Sequence, residues 1–214
     1  MKLNKQVIVG LCAGSAMLVT GMATAQAGVS ANIGVASNYI WRGQTQTSNS
    51  AATSGGIDYE HESGFYAGTW VSNIAGGDFE QDIYAGYGFK TGGIDLDVGY
   101  IMYDYLTAAS DFSEIYIKGG MAGATLGYAM DSKNKDSYLS LEYATEVKKG
   151  MEVGFVYGSY SKNVSANSYS HIGLSLSKDD FKFAYDSTSG NGAAKFAGKN
   201  YSTFTVSWSK SFDL

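Results

Sequence analysis

The sequence has no proline, a single cysteine, a single arginine and two histidines, and only 16% of its 214 residues are charged. A soluble sheet of this size ordinarily places proline in its loops and edge strands, so a chain without any is atypical of one. Cys12 lies near the N-terminus, which leaves no disulfide framework for the rest of the chain. No apolar run reaches the 18 residues that a membrane-spanning helix requires. Lysine and arginine number 15 against 20 aspartate and glutamate, for a net charge of −5. That balance argues against nucleic acid as a partner, because a nucleic-acid binder carries a basic footprint. What the chain has in quantity is glycine (28) and aromatic residues (14%). Glycine costs about 1 kcal/mol in a helix interior, and an aromatic-rich, charge-poor chain is not a disordered one. The composition points to an all-β fold of many short strands.

The N-terminus reads as an address. Lys2 and Lys5 precede a mostly apolar stretch from Val7 to Val19, and Ala25-Gln26-Ala27 has the small-x-small form of a cleavage site. Residues 1–27 are therefore expected to be a secretory signal peptide cleaved after Ala27, and 28–214 the exported domain. A lipoprotein anchor at Cys12 is disfavoured because Leu11 stands where a small residue is needed.

Alternation with period two recurs from there to the C-terminus. The rows are Val29 to Trp41, Gly55 to Glu60, Phe65 to Val71, Asp82 to Phe89, Ile94 to Met102 and Glu114 to Lys118. They continue with Ala124 to Met130, Leu139 to Tyr143, Met151 to Gly158, His171 to Ser177, Phe181 to Asp186 and Thr203 to Leu214. In Phe65 to Val71 both faces are apolar and the phase is ambiguous. These twelve rows predict a transmembrane antiparallel up-and-down β-barrel of twelve strands, in which lipid-facing and lumen-facing residues alternate. Eight or ten strands are the alternative counts, with Gly55 to Glu60 and Glu114 to Lys118 the weakest rows.

The connections sort by length. Short turns are expected at His61–Gly64, Thr91–Gly93, Gly119–Gly120, Val147–Gly150 and Lys178–Asp180. Long ones are expected at Gly43–Ser54, Ser72–Phe79, Asp104–Phe112, Asp131–Asp136, Ser161–Ser168 and Ser187–Asn200. Short periplasmic turns and long extracellular loops are the outer-membrane pattern. Tyr59, Phe65, Phe89, Tyr143, Phe181 and Phe212 fall at one headgroup level, and Tyr39, Trp41, Tyr157, Tyr185 and Phe204 at the other. A soluble β-sandwich would also alternate, but its polar face would be rich in Lys, Glu and Thr. Here that face is mostly Gly, Ser and Ala with scattered acids, which suits a confined lumen. Lys210 sits on the outward row, where a mid-membrane cation would cost about 2–4 kcal/mol.

Ser37-Asn38-Tyr39-Ile40-Trp41-Arg42-Gly43-Gln44-Thr45-Gln46 resembles the N-terminal signature of the TorF-type porin family of proteobacteria. Gly56-Ile57-Asp58-Tyr59 and Gly64-Phe65-Tyr66-Ala67-Gly68-Thr69-Trp70 are similar to its next hairpin. The resemblance marks Asn38, Tyr39, Trp41, Arg42 and Gly43 as the family motif. It implies an outer-membrane barrel with a pore role and no known substrate.

Alternation places Asp58, Glu60, Asp82, Asp95, Asp97, Glu114, Lys118, Glu142, Glu152, Lys182 and Asp186 on inward rows as pore-lining candidates. The predicted function is passive, cation-preferring diffusion of small polar or cationic solutes through the outer membrane of a Gram-negative cell. A sealed structural or adhesive barrel is the second reading. Lipid and the barrel-assembly machinery are the other expected partners, and no cofactor is implied. No enzyme is expected: His61 lies in a turn, and His171 and Ser170, as strand neighbours, point to opposite faces. Asp95 and Asp97 share a face without further metal ligands. Gly86-Tyr87-Gly88 lies inside a strand with no helix after it, so it is not a phosphate cradle. Arg42 reads either as a constriction charge or loop anchor paired to a lumenal acid, or as an interfacial cation beside Trp41.

Overall fold

The computed structural model describes residues 27–107, 111–163, 167–190 and 200–214. Its strands are β1 (Gly28–Ala36), β2 (Ile40–Trp41), β3 (Gln44–Thr45), β4 (Ala52–Glu60), β5 (Phe65–Asn73), β6 (Phe79–Thr91) and β7 (Ile94–Tyr105). They continue with β8 (Phe112–Met121), β9 (Ala124–Asp131), β10 (Ser137–Lys148), β11 (Met151–Ser161), β12 (Tyr169–Lys178), β13 (Phe181–Ser189) and β14 (Tyr201–Asp213). Twelve of them, β1 and β4 to β14, form a closed antiparallel barrel in sequence order, sealed where β1 pairs with β14. β2 and β3 form a separate two-stranded hairpin. Closure leaves no ladder edge unpaired. It supplies the stability that disulfides give other exported domains.

The wall is turned inside out relative to a soluble protein. Ile33, Ile57, Ile117, Leu126, Leu141, Leu174 and Phe183 are exposed, whereas Asp58, Asp82, Asp97, Glu114, Glu142 and Asp186 are buried. Only a surrounding apolar phase makes that pattern favourable, since each carboxylate needs a polar lumen and each apolar side chain needs lipid. The ambiguous row resolves with Tyr66, Trp70 and Ser72 inward and Phe65 and Val71 exposed. Lys210 keeps its outward parity but lies at the rim, with Nζ 2.8 Å from Asp180 of the β12–β13 turn. The alternation carries a direct test. Leu141→Arg, on the outward face mid-strand, is expected to cost about 2–4 kcal/mol in a urea titration of the barrel folded into vesicles. Ala184→Arg, on the inward face, is expected to cost far less. Equal losses would put the phase, or the membrane, in error.

The two-residue turns at the short-turn rim follow from backbone sterics. Gly92–Gly93 (φ 56° and 82°) and Ala122–Gly123 (φ 52° and 84°) both have two positive φ values, the type I′ geometry that matches strand twist. The second of these corrects the sequence reading, which put the turn at Gly119–Gly120. Those glycines are inside β8, paired with Leu126 and Thr125. A Cβ on Gly120 would stand 3.1 Å from Thr125 Oγ1, so small size there serves packing, not turning.

A larger correction concerns the first row. β1 ends at Ala36, not Trp41, and the connection to β4 runs over residues 37–51 rather than Gly43–Ser54. Tyr39 is 2% exposed and Trp41 is half-buried, so neither sits at a headgroup level. Backbone hydrogen bonds to β14 end at Ser37, whose N donates to Val206 O, and the chain then turns into the bore. The expected signal segment, apart from Ala27, and most of the Ser187–Asn200 loop lie outside the described residues.

Candidate functional site: a hairpin across the lumen

The β2–β3 hairpin and its flanks occupy the bore at the long-loop end. Its turn is Arg42–Gly43, with φ values of 49° and 76°, again two positive values in a two-residue loop. Gly43 is required twice over. Its backbone is left-handed, and a Cβ would lie 2.5 Å from both His171 Cβ on β12 and Thr188 Oγ1 on β13. Thr188 in turn donates its hydroxyl to the Gly43 carbonyl. The hairpin tip is thereby pressed against the β12–β13 wall.

Asn38 organises the hairpin's base. Its Oδ1 accepts from Thr45 Oγ1 (2.6 Å) and Thr47 Oγ1 (3.0 Å). Its Nδ2 donates to Asn49 Oδ1 (3.1 Å) and to the Tyr201 hydroxyl of β14 (3.0 Å). Buried, and with both ends of its amide partnered, Asn38 fixes where the chain leaves the wall.

The other motif residues reach the far wall. Tyr39 packs edge-on against Trp70 of β5 at 5.5 Å, and its hydroxyl donates to Glu80 of β6. Trp41 meets Tyr103 of β7, Phe112 of β8 and Tyr160 of β11 edge-on at 5.9, 6.2 and 5.8 Å. Arg42 donates in a fork to Glu114 of β8, Nη1 to Oε1 and Nη2 to Oε2, both at 2.7 Å. Its guanidinium carbon lies 4.1 Å from the Tyr138 ring centre of β10 and 4.3 Å from that of Trp41. Planar, forked and stacked, it makes contacts that a lysine could not reproduce. Of the two readings of Arg42, the structure shows the loop anchor on a lumenal acid.

The lumen is furnished unevenly. Along β5 to β8, tyrosines lie flat over glycines directly opposite them: Tyr66 over Gly86, Tyr84 over Gly68, Tyr116 over Gly99. A Cβ on Gly86 would come within 2.2 Å of the Tyr66 hydroxyl, so the pairs are mutually exclusive with larger residues. These hydroxyls donate to inward acids, Tyr84 to Asp58 and Tyr66 to Asp97 at 2.7 Å. Along β11 to β14 the inward rows carry Gly154, Gly173, Ser175, Ala184, Thr205 and Ser207, and space remains. A cavity there is bounded by Glu142, Glu152, Lys182 and Asp186. A second shares Lys182, Ala184 and Asp186 and is capped by Asn38 and Ile40 of the hairpin.

All eleven charged residues singled out from the sequence lie on inward rows, but they form several separate groups. Asp58 also accepts from Asn32 Nδ2 (3.1 Å), and Glu60 is half-buried near the short-turn rim. Asp95 faces Lys90 at 3.0 Å, and Lys118 lies over the Tyr116 ring at 5.4 Å. Glu142 accepts from Ser140 Oγ at 3.1 Å. Asp82 Oδ1 and Trp70 Nε1, on directly paired residues, are buried without a hydrogen-bond partner among the described residues. Among the eleven, Glu114 bonds the hairpin, through Arg42. Sequence reasoning missed Glu80, Trp70, Tyr103, Tyr138 and Tyr160, the hairpin's other receptors. Trp70 lies in the row of ambiguous phase, and Glu80, Tyr103, Tyr138 and Tyr160 lie just past the ends of theirs, so only extending the inward parity of those rows could have marked them.

His171 Nε2 is 2.8 Å from the Tyr138 hydroxyl, while Ser170 faces Ser189 on the other side of the wall. The turn residue His61 contacts Ser63 Oγ at 2.9 Å. No group of three His, Cys, Asp or Glu side chains among the described residues is placed to hold a metal ion.

The barrel is similar to solved outer-membrane porins. KdgM porin aligns with a TM-score of 0.61 at 12% identity, covering 86% of this chain and 99% of that one. A second KdgM structure, in complex with disordered oligogalacturonate, gives 0.56 at 11% identity, covering 84% and 97%. The NanC porin gives 0.52 at 13% identity, covering 87% and 100%. No curated protein matches the sequence. A family model described as a bacterial protein of unknown function, Gcw_chp, matches residues 21–205. That match, rather than the TorF-type label, is what the family comparison supports.

Proposed function

We propose that this chain, which belongs to the Gcw_chp family of bacterial proteins of unknown function, is a porin-like channel of the outer membrane, narrowed from within by its own first long connection. The observation that carries this reading is the closed wall with an apolar outside, a charged inside and open space along β11 to β14. A barrel serving only as an anchor has no need of an acid-lined bore. The likeness to KdgM and NanC, and the resemblance of residues 37–74 to the TorF-type porins, are in keeping with it. So is a cleavable leader at residues 1–27, the address such a barrel needs for export.

The solutes we infer are small, polar and neutral or cationic. KdgM has been captured with oligogalacturonate, a polyanion. This lumen, with Asp58, Asp82, Asp97, Glu142 and Asp186 buried in its wall, would repel such a chain. The hairpin favours a second reading, a sealed structural or adhesive barrel, because its residues contact both sides of the bore.

One set of measurements separates these readings. The folded protein should migrate differently in SDS gels before and after boiling, and should fractionate with outer membrane. In planar bilayers it should give discrete current steps. Steady zero current from a heat-modifiable barrel would establish the sealed reading, and recovery in the soluble periplasm would exclude both.

A further inference from the structure

The open side of the lumen has a charge arrangement that the channel reading does not by itself require. Ladder register arranges it in two tiers. The upper runs Glu142, Val156, Gly173, Asp186 across β10 to β13. The lower runs Glu152, Ser177, Lys182, Ser207 across β11 to β14. Between them lies the uncharged tier Gly154, Ser175, Ala184, Thr205. Lys182 and Asp186 are four residues apart on one strand, a separation of about 13 Å. The larger cavity spans the two tiers, and the smaller one continues past Asp186 to the hairpin at Asn38 and Ile40.

We propose that this column is a binding site for small aliphatic solutes bearing ammonium groups and one carboxylate, of the basic amino-acid type, with Asp186 and Glu142 receiving the ammonium end and Lys182 the carboxylate. Three features select that class. Three carboxylates stand against Lys182 and against Lys118, which also faces Glu142, so a solute with an excess of positive charge is favoured. Glu142 and Asp186 are buried in the wall, 4% and 8% exposed, which places them in a medium where a charged partner counts for more than it does in bulk water. The inward side chains of the column are Gly, Ser, Ala, Thr and Val, with no aromatic face on which a sugar ring could stack. Tyr66, Tyr84 and Tyr116 are held on the opposite wall over their glycines, and Tyr138, Tyr160 and Tyr169 lie at the hairpin end, outside the lining of both cavities. A short aliphatic chain with charged ends therefore fits the ladder register and the chemistry.

The site rests on the channel reading for its biological use but not for its test. Titration of the folded, detergent-solubilised barrel by calorimetry should show L-lysine binding, with no heat from glucose or L-glutamate. Asp186→Asn should weaken L-lysine about tenfold or more, the loss of one charge-assisted contact. Lys182→Met should weaken L-lysine but leave 1,5-diaminopentane, which lacks the carboxylate, unaffected or tighter. Glucose binding as well as L-lysine, or L-lysine binding indifferent to both substitutions, would overturn the assignment. So would absence of L-lysine binding in a barrel that conducts, which leaves the channel intact. Binding in a barrel that passes no current would sustain the site and sink the channel.

Discussion

Arg42→Ala is expected to raise single-channel conductance several-fold while leaving the barrel folded. The substitution removes both forked hydrogen bonds to Glu114 and the stacking on Trp41 and Tyr138. It also strands Glu114, 1% exposed, as a buried carboxylate without its cation. Breaking a buried pair in this way costs about 3–5 kcal/mol, all of it charged to the docked hairpin, because the barrel ladders make no use of Arg42. A penalty of that size moves a docking equilibrium by a factor of about 10² to 10⁴. Glu114 would be rehydrated by the hairpin swinging out. Arg42→Lys should give an intermediate current, since an ammonium supplies charge without the fork. Combining Arg42→Met with Glu114→Gln should narrow the channel again, because no unpaired charge then remains under the hairpin. Unchanged conductance in Arg42→Ala, with tryptophan emission also unchanged, would show that the hairpin does not limit the bore.

The channel should also pass cations in preference to anions, strongly enough to read in one experiment. With a tenfold KCl gradient, the reversal potential is expected to exceed half of the ~59 mV limit for a monovalent ion. Inward acids outnumber the lysines that share the rows with them, and Arg42 is committed to Glu114. The acids that line β11 to β14 act over the Debye length of about 10 Å at 0.1 M salt. The apolar surroundings of the lumen focus the field further. The preference should fall as salt rises. Lys182→Met should strengthen it and Asp186→Asn weaken it. A reversal potential of the opposite sign would mean that the acids are neutralised within the wall.

Most of the barrel was legible because one rule, period two, governs every strand, and lipid and lumen punish a slipped phase. The same rule misled at its first application. Val35, Tyr39 and Trp41 share a parity, so the row ran past Ala36, where the chain in fact leaves the wall. The cues were present but weak: Asn38, a poor strand residue, and Arg42-Gly43, a dipeptide suited to a left-handed turn. Glycine misled in the opposite way at Gly119 and Gly120, which looked like a turn and instead lie inside β8, Gly119 beside Leu96 and Gly120 giving room to Thr125. The pairing of Arg42 with Glu114 could not be read at all. It joins residues on opposite sides of a closed bore, and no local pattern encodes which of the inward acids a folded-in arginine will meet.

The position of the hairpin next to the seam bears on the order of assembly. β1 pairs with β14, Ser30 with Asp213 through Ala36 with Ser207, so the last strand synthesised closes on the first. The hairpin begins four residues beyond that ladder, and Asn38, between the two, bonds to Tyr201 of β14. Until β14 arrives, one of the four side-chain hydrogen bonds that hold Asn38 does not exist, and the wall of Gly43's niche is unfinished at its free edge. Once the seam zips, the tyrosines and the hairpin have no lateral exit. From then on the hairpin can enter or leave only through the long-loop mouth, and the step that completes the cylinder also completes the socket that holds its stopper.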